Sequence, residues 1–294
     1  MKPIASLKLA LTNKDQHSPS LFKEIQERIQ PHSESPILDA LELLSHITGL
    51  DRAQLLAHPD PALDPHQSEE LQMALDQLQD GTPLPYVLGE WEFCKLSFQI
   101  GPQVLIPRPE TEGLVELALD WLEEHPQRRT CLELGTGCGC IAISLAVTLP
   151  DLKISATDIS PHALEIARAN ALRHGVIGQI EFLERDLLQD VQGKVDLLVA
   201  NLPYIPTGKL QKLAVFQTEP TLALDGGADG LHYIKQVLQD ARNFLDPGGA
   251  VFLEIDEDTG AAALELAHDV WPGISIKLEQ DLAGRDRYLS ILCP

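Results

Sequence analysis

The sequence predicts an α/β protein: a doubly wound, mostly parallel sheet preceded by a small all-helical domain. Three observations lead there. From Thr130 almost to the C-terminus, strand-like and helix-like segments alternate, the pattern of parallel strands joined by crossover helices. From Ser18 to Gly81 the only periodicity is helical. And a glycine-rich turn, Gly135-Thr136-Gly137-Cys138-Gly139, follows the first strand of the alternating region, where open α/β sheets take their ligands.

Taken in order, residues 1–17 are polar and aperiodic. A helix start is legible at Ser18 as N-cap with Pro19 in the first helical position, followed by Leu21, Phe22, Ile25 and Ile29 at helical spacing. A second helix follows Ser35-Pro36, with Ile37, Leu38, Leu41, Leu44 and Ile47 on one stripe and Gly49 as its stop. A short third covers residues 53–57. The fourth opens at Asp64-Pro65, runs through Leu71, Leu75 and Leu78 and ends at Gly81. Such a bundle is either a structural cap or a docking module for a macromolecular substrate.

Between Tyr86 and Ile106, aromatic and polar residues alternate around Gly89 and Gly101, which predicts a β-hairpin. The expected organisation is a helical domain over 1–82, a hairpin linker over 83–108 and the α/β domain over 109–294. Pro107-Arg108-Pro109-Glu110-Thr111-Glu112 leads into a helix reaching Glu124, with Glu110 and Glu112 suited to its positive end rather than to catalysis. Expected strands are 131–134, 153–157, 179–183, 196–200 and 251–255, with helices at 141–148, 161–174, 231–245 and 259–270. Residues 274–278 and 288–292 read as a closing pair of strands.

Charge narrows the function. The chain has 294 residues and 44% hydrophobic content, enough for a substantial core, yet 44 acidic residues face 22 basic ones for a net charge of -22. Such a surface repels phosphate backbones, and no Lys/Arg run of the kind a DNA groove requires is present. Nucleic acid is therefore disfavoured as the direct substrate. Cys94, Cys131, Cys138, Cys140 and Cys293 show no CxxC or zinc spacing, so they read as small buried apolar residues in a reducing cytosol and no metal is expected. No signal peptide is legible, and no apolar run approaches the ~20 residues that cross a bilayer. A cytoplasmic protein, away from membranes, is expected.

The chemistry concentrates at Asn201-Leu202-Pro203-Tyr204, directly after the apolar strand that ends at Ala200. Asn201 offers an amide oxygen and Leu202 a backbone carbonyl, and Pro203 biases Leu202 towards an extended conformation. Two acceptors held side by side suit a planar NH2 group, and Tyr204 can wall a flat substrate. The glycine turn alone is a weak signal, because its glycines at 135, 137 and 139 do not follow the dinucleotide spacing. Asp158, at the end of the second strand, strengthens it. It is placed to accept ribose hydroxyls, since Ser160 can cap the helix that follows. After the third strand, Asp186 can receive an adenine amino group while Leu187 packs on the base.

With these residues assembled, the chain resembles the S-adenosylmethionine-dependent methyltransferases, and more narrowly the HemK/PrmC family of release factor glutamine N5-methyltransferases. The matching segments include residues 85–93, Leu105 through Glu112, the glycine turn continuing to Ala146, Glu219 through Gly227, and Asp281 through Arg287. This resemblance implies a class I methyltransferase domain with a helical N-terminal domain. It implies S-adenosyl-L-methionine as cofactor, S-adenosyl-L-homocysteine as product, and as substrate the glutamine of the Gly-Gly-Gln motif in class I peptide chain release factors, met by a monomer. Carried over, Gly135, Thr136, Gly137, Cys138 and Gly139 border the methionine part, Asp158 takes the ribose and Asp186 with Leu187 the adenine. Asn201, Leu202, Pro203 and Tyr204 hold the glutamine amide, with Asn201 also beside the cofactor. The chain departs from the family pattern at Leu202, usually Pro, and at Asp256, commonly Gly. Rival substrates are a ribosomal-protein glutamine and an adenine N6 in nucleic acid, whose exocyclic amine is also flat.

Overall fold

The computed structural model describes residues 20–294, and the chain divides into two compact units after Leu88. In the first unit, helices α1 (Leu21–Ile29), α2 (Pro36–Thr48), α3 (Arg52–Ala57), α4 (Pro65–Gln79) and α5 (Leu84–Leu88) enclose an aliphatic core centred on Ile25, Leu43, Leu44, Leu55 and Leu71. Local chemistry sets their ends. Asp51 and Asp64 each form a capping box with the glutamine three residues on, and Gly49 closes α2 with φ +71°. Ser20 caps α1 by accepting from the Lys23 N–H; the expected cap at Ser18 with Pro19 lies outside the described residues.

Two expectations for this unit need correction. Ile37 and Leu38 are more than half exposed, whereas Leu43 is fully buried, so the buried stripe of α2 begins a turn later than its apolar pattern. Residues 84–88 are helical rather than part of a hairpin. Pro83 starts that turn, its carbonyl accepting from the Tyr86 and Val87 N–H groups, and five residues are too few for periodicity to register.

The second unit begins with the hairpin β1 (Glu90–Phe93) and β2 (Leu96–Gln99), turned at Cys94 and Lys95, both with positive φ. It continues with α6 (Pro109–Glu124), β3 (Thr130–Leu134), α7 (Cys140–Thr148), β4 (Lys153–Asp158), α8 (Pro161–Arg173), β5 (Ile180–Glu184), β6 (Val195–Ala200) and α9 (Thr207–Leu210). It ends with α10 (His232–Asp240), β7 (Leu245–Glu254), α11 (Gly260–Val270), β8 (Ser275–Gln280) and β9 (Asp286–Leu292). The helix expected over 231–245 stops at Asp240, a 3-10 turn follows, and Leu245 already belongs to β7.

The seven large-sheet strands run β5-β4-β3-β6-β7-β9-β8, parallel except for β9, which is antiparallel to both neighbours. The order reverses between β3 and β6, and this is where a doubly wound sheet opens a crevice at its carboxyl edge. β3 and β6 sit in register there, Leu134 opposite Ala200, so the glycine turn and the Asn201 loop leave the sheet side by side. Both central strands are almost wholly buried, which explains why apolar residues predominate in them, interrupted by Glu133 and Asp196.

One buried polar residue ties the hairpin to this frame. The Asn170 amide of α8 accepts from the Gln99 N–H at 2.8 Å and donates to the carbonyls of Gln99 and Cys138, each at 2.9 Å. An Asn in a helix interior is ordinarily neutral or unfavourable; here it satisfies backbone groups of two other segments.

Candidate active site

The glycine turn leaves β3 with Gly135, Gly137 and Gly139 at φ +69°, +56° and +86°, a region that side chains with a Cβ resist. Beneath it the buried Glu133 accepts from the Thr136 hydroxyl at 2.6 Å, and burial pushes this carboxyl up to about 8. Asp158 closes β4 with both oxygens engaged: Oδ2 accepts from the Gly137 N–H and Oδ1 from the Ser160 N–H, each at 2.8 Å. Burial raises its pKa against these backbone bonds, and each oxygen keeps lone-pair capacity for a further donor. Ser160 caps α8 by accepting from the Ala163 N–H, which leaves Asp158 out of that role.

A cavity of about 290 Å³ collects these groups. Gly135, Gly137 and Asp158 line one part of it, Asp186 and Leu187 another, and Asn201, Leu202 and Pro203 a third. Leu187 holds φ +51°, a strained value for a branched residue and of the kind found at ligand sites. Thr136, Cys138 and Gly139 do not reach the cavity. The first two are turned inward, 3% and 1% exposed, and Gly139 caps α7 where a Cβ would stand 2.8 Å from Ile143.

A second cavity, about 240 Å³, is lined by Arg108, Tyr204 and Ile205 and shares Leu105, Asn201, Leu202 and Ala223 with the first. These four residues form a wall common to both. The Asn201 Nδ2 donates to the buried Thr111 hydroxyl at 3.0 Å. The Tyr204 hydroxyl donates to Glu254 Oε1 at 3.0 Å, which fixes the ring, and burial together with Glu254 raises its pKa. Glu254 is buried at the end of β7, and burial pushes its carboxyl up to about 7. Arg108 pairs with the buried Glu219, whose second oxygen accepts from the Ile106 N–H at 3.2 Å. This ties the approach to α6 to the loop beyond Thr218.

The two positions that depart from the family pattern are accommodated. Leu202 is 4% exposed and packs at the turn, its Cδ2 3.1 Å from where a Gly135 Cβ would lie. Asp256 accepts from the Asp258 N–H and, with Asp258, holds the Lys209 ammonium at 3.1 and 2.8 Å. Thr111, Glu133, Glu219 and Glu254 were not singled out in the sequence as site residues. Thr111, Glu219 and Glu254 meet partners far along the chain, whereas Glu133 bonds Thr136 three residues on; the signal for Thr111 is its place in the matching segment before α6. Among the described residues no group of His, Cys, Asp and Glu is arranged to hold a metal, and no helix is long and apolar enough to cross a membrane.

Comparison with known proteins decides the family. The profile of the PrmC N-terminal domain matches residues 20–89, and that of the methyltransferase small domain matches residues 114–219. The chain is 43% identical to the release factor glutamine methyltransferase of Moorella thermoacetica, over 86% of this chain and 90% of that one. It is 38% identical to the enzyme of the same name from Vibrio cholerae, over 90% and 93%. This chain belongs to the release factor glutamine methyltransferase family. Its activity is accordingly methyl transfer, and the family implies S-adenosylmethionine as donor. The hMettl16 catalytic domain, solved in complex with the MAT2A 3′UTR hairpin 6, has a TM-score of 0.53 at 16% identity over 78% of this chain and 82% of that one. That likeness shows the class I methyltransferase fold alone.

Proposed function

We propose that the protein transfers a methyl group from S-adenosyl-L-methionine to the side-chain amide nitrogen of the Gly-Gly-Gln glutamine in class I peptide chain release factors, in the cytoplasm and as a monomer. The observation that carries this reading is the wall shared by two cavities, with Asn201 and Leu202 lining both. In this reading the larger cavity takes the cofactor. Asp158 accepts the ribose hydroxyls, Asp186 the adenine amino group, and Leu187 packs on the base. The groups present fit such a ligand: a turn of left-handed glycines permits close approach, and the half-buried Asp158 carboxylate retains acceptor capacity. The smaller cavity takes the glutamine, with Tyr204 as its aromatic wall. The N-terminal helical unit serves to dock the release factor.

A carboxamide nitrogen is a poor nucleophile because its lone pair is delocalised into the carbonyl. Bound S-adenosylmethionine supplies a sulfonium methyl that is electrophilic without help from the protein. What the chain contributes is orientation. Asn201 Oδ1 and the Leu202 carbonyl accept the two amide hydrogens and point the nitrogen across the shared wall, and they favour the positive charge growing on it. Fixing such geometry in advance can lower a barrier by ~7–11 kcal/mol. No general base is required, since the proton can leave to water after transfer.

The test is substrate choice. The protein is incubated with labelled S-adenosylmethionine and, in separate arms, purified release factor, its Gly-Gly-Ala variant, ribosomal protein, or DNA. Label in the release factor and in no other arm is expected. Label in ribosomal protein or DNA, with none in release factor, overturns the reading.

A further inference from the structure

Two acceptors for the glutamine NH2 do not by themselves hold the peptide that carries it. The smaller cavity has a buried floor, with Leu202 and Leu224 only 4% and 5% exposed, and a rim at Arg108, whose side chain is 33% exposed. Three side chains lining it carry N–H or O–H groups. The Tyr204 hydroxyl donates to Glu254 and the Asn201 NH2 to Thr111, so both are engaged inside the protein. Arg108 has five donor hydrogens, and Nη2 gives one of them to Glu219 Oε1. No other acceptor meets this guanidinium among the described residues. Arg108 is fixed from both ends. Pro107 and Pro109 flank it, and its backbone is extended at φ −100° and ψ 144°, as a residue before proline prefers. Beyond the guanidinium, the Glu219 side chain is 2% exposed and is itself anchored by the Ile106 N–H. A cation so held, with N–H groups unengaged at the mouth of a cavity, is a donor array set for an incoming acceptor.

We infer that Arg108, held by Glu219, is a substrate-binding residue that donates to main-chain carbonyls of the segment bearing the target glutamine. The floor of the cavity takes the side-chain carboxamide, and the rim is where the chain on either side of it must pass. Carbonyl oxygens entering there lose water and need a donor in its place. Glycines next to the glutamine put no side chain between those oxygens and the guanidinium. The planar fork can serve Glu219 along one edge and peptide carbonyls along another, which the compact ammonium of a lysine does not match. This inference rests on the glutamine reading above and adds to it how the backbone of the substrate is gripped.

The experiment uses the full-length chain with release factor as substrate. Arg108→Lys keeps the positive charge beside Glu219 and removes the fork. The double variant Arg108→Gln with Glu219→Gln removes both charges together, so that no buried carboxylate is left without its partner. For both we expect KM for release factor to rise about tenfold or more, the scale of one charged hydrogen bond, with a smaller fall in kcat and S-adenosylmethionine affinity within a few-fold of wild type. A wild-type KM in Arg108→Lys means that charge alone suffices, and it overturns the inference. A wild-type KM in the double variant does so as well, since the pair is then only a strut between two loops. Loss of cofactor binding in both variants also overturns it, by assigning the pair to the frame of the site. If the wild type does not label release factor at all, the substrate reading falls first, and this inference with it. Wild-type labelling with unchanged KM in the variants overturns this inference alone.

Discussion

Leu202 and Gly135 meet at the carboxyl edge of the sheet: a Cβ added to Gly135 would stand 3.1 Å from the Leu202 Cδ2, and Gly135 holds φ +69°. Two separate effects therefore oppose any side chain there. Left-handed backbone costs a residue with a Cβ about 1–2 kcal/mol, and the leucine must also shift from its packed position. For Gly135→Ala a fall of about 1–2 kcal/mol in unfolding free energy is expected, with weakened S-adenosylmethionine binding because Gly135 lines the larger cavity. Denaturant titration and calorimetric binding check the two parts separately.

Asp158 is the group through which cofactor affinity should be most sensitive. Its carboxylate already accepts from two backbone N–H groups, so it is fixed before any ligand arrives. Asp158→Asn replaces one acceptor oxygen with an NH2 that must oppose either a backbone N–H or an incoming hydroxyl. The Kd for S-adenosylmethionine should rise by about tenfold or more, corresponding to ~1.4 kcal/mol. An unchanged Kd would remove Asp158 from the ribose role.

Asn201→Ala should separate binding from chemistry. The variant loses one of two amide acceptors but leaves Asp158, Asp186 and the glycine turn intact. Steady-state assays are expected to show kcat reduced at least about 100-fold, with S-adenosylmethionine affinity within a few-fold of wild type. Turnover near wild type would show that the amide of this residue does not hold the substrate.

Stability should decline on the alkaline side for an identifiable reason. Burial lifts the Glu133 carboxyl from an ordinary 4.5 to about 8 and Glu254 to about 7. For acids whose folded pKa is raised, the folded state binds more protons than the unfolded one across the interval. Their favourable contribution is complete below about pH 4.5 and is lost as pH climbs through the folded values. Glu133→Gln removes one such group while keeping an acceptor for the Thr136 hydroxyl. Melting temperatures measured from pH 5 to 9 are expected to fall less steeply in the variant than in the wild type. Parallel curves would mean that Glu133 is not held protonated.

Much of this architecture could be read from the chain because the signals are local. The buried strands of the sheet centre announce themselves as short Leu/Val runs, and the glycines at 135, 137 and 139 mark the turn that follows one of them. Asn201-Leu202-Pro203-Tyr204 could be read for the same reason: a polar residue and a proline interrupt an apolar run at a strand end. What escaped is what depends on distance along the chain. Thr111 meets Asn201 across 90 positions and Glu254 meets Tyr204 across 50, and no spacing rule links such pairs. Glu254 also ends an apolar strand, where a carboxylate looks like an ordinary exposed terminus until its burial is known. Thr136 and Cys138 differ in burial from Gly135 and Gly137 beside them in the turn. They share the turn with cavity-lining glycines, but alternate backbone positions point them into the core.

The three hydrogen bonds of Asn170 bear on how this protein can be taken apart and rebuilt. They bind the hairpin backbone and the Cys138 carbonyl to a single side chain, so residues 90–99, α8 and the glycine turn form one graft unit. A chimera that swaps segments with a relative at residue 108 would cut through that unit, stranding buried amide and carbonyl groups. A splice between Leu88 and Gly89 leaves it whole, and that is the junction at which parts of related enzymes should be exchanged.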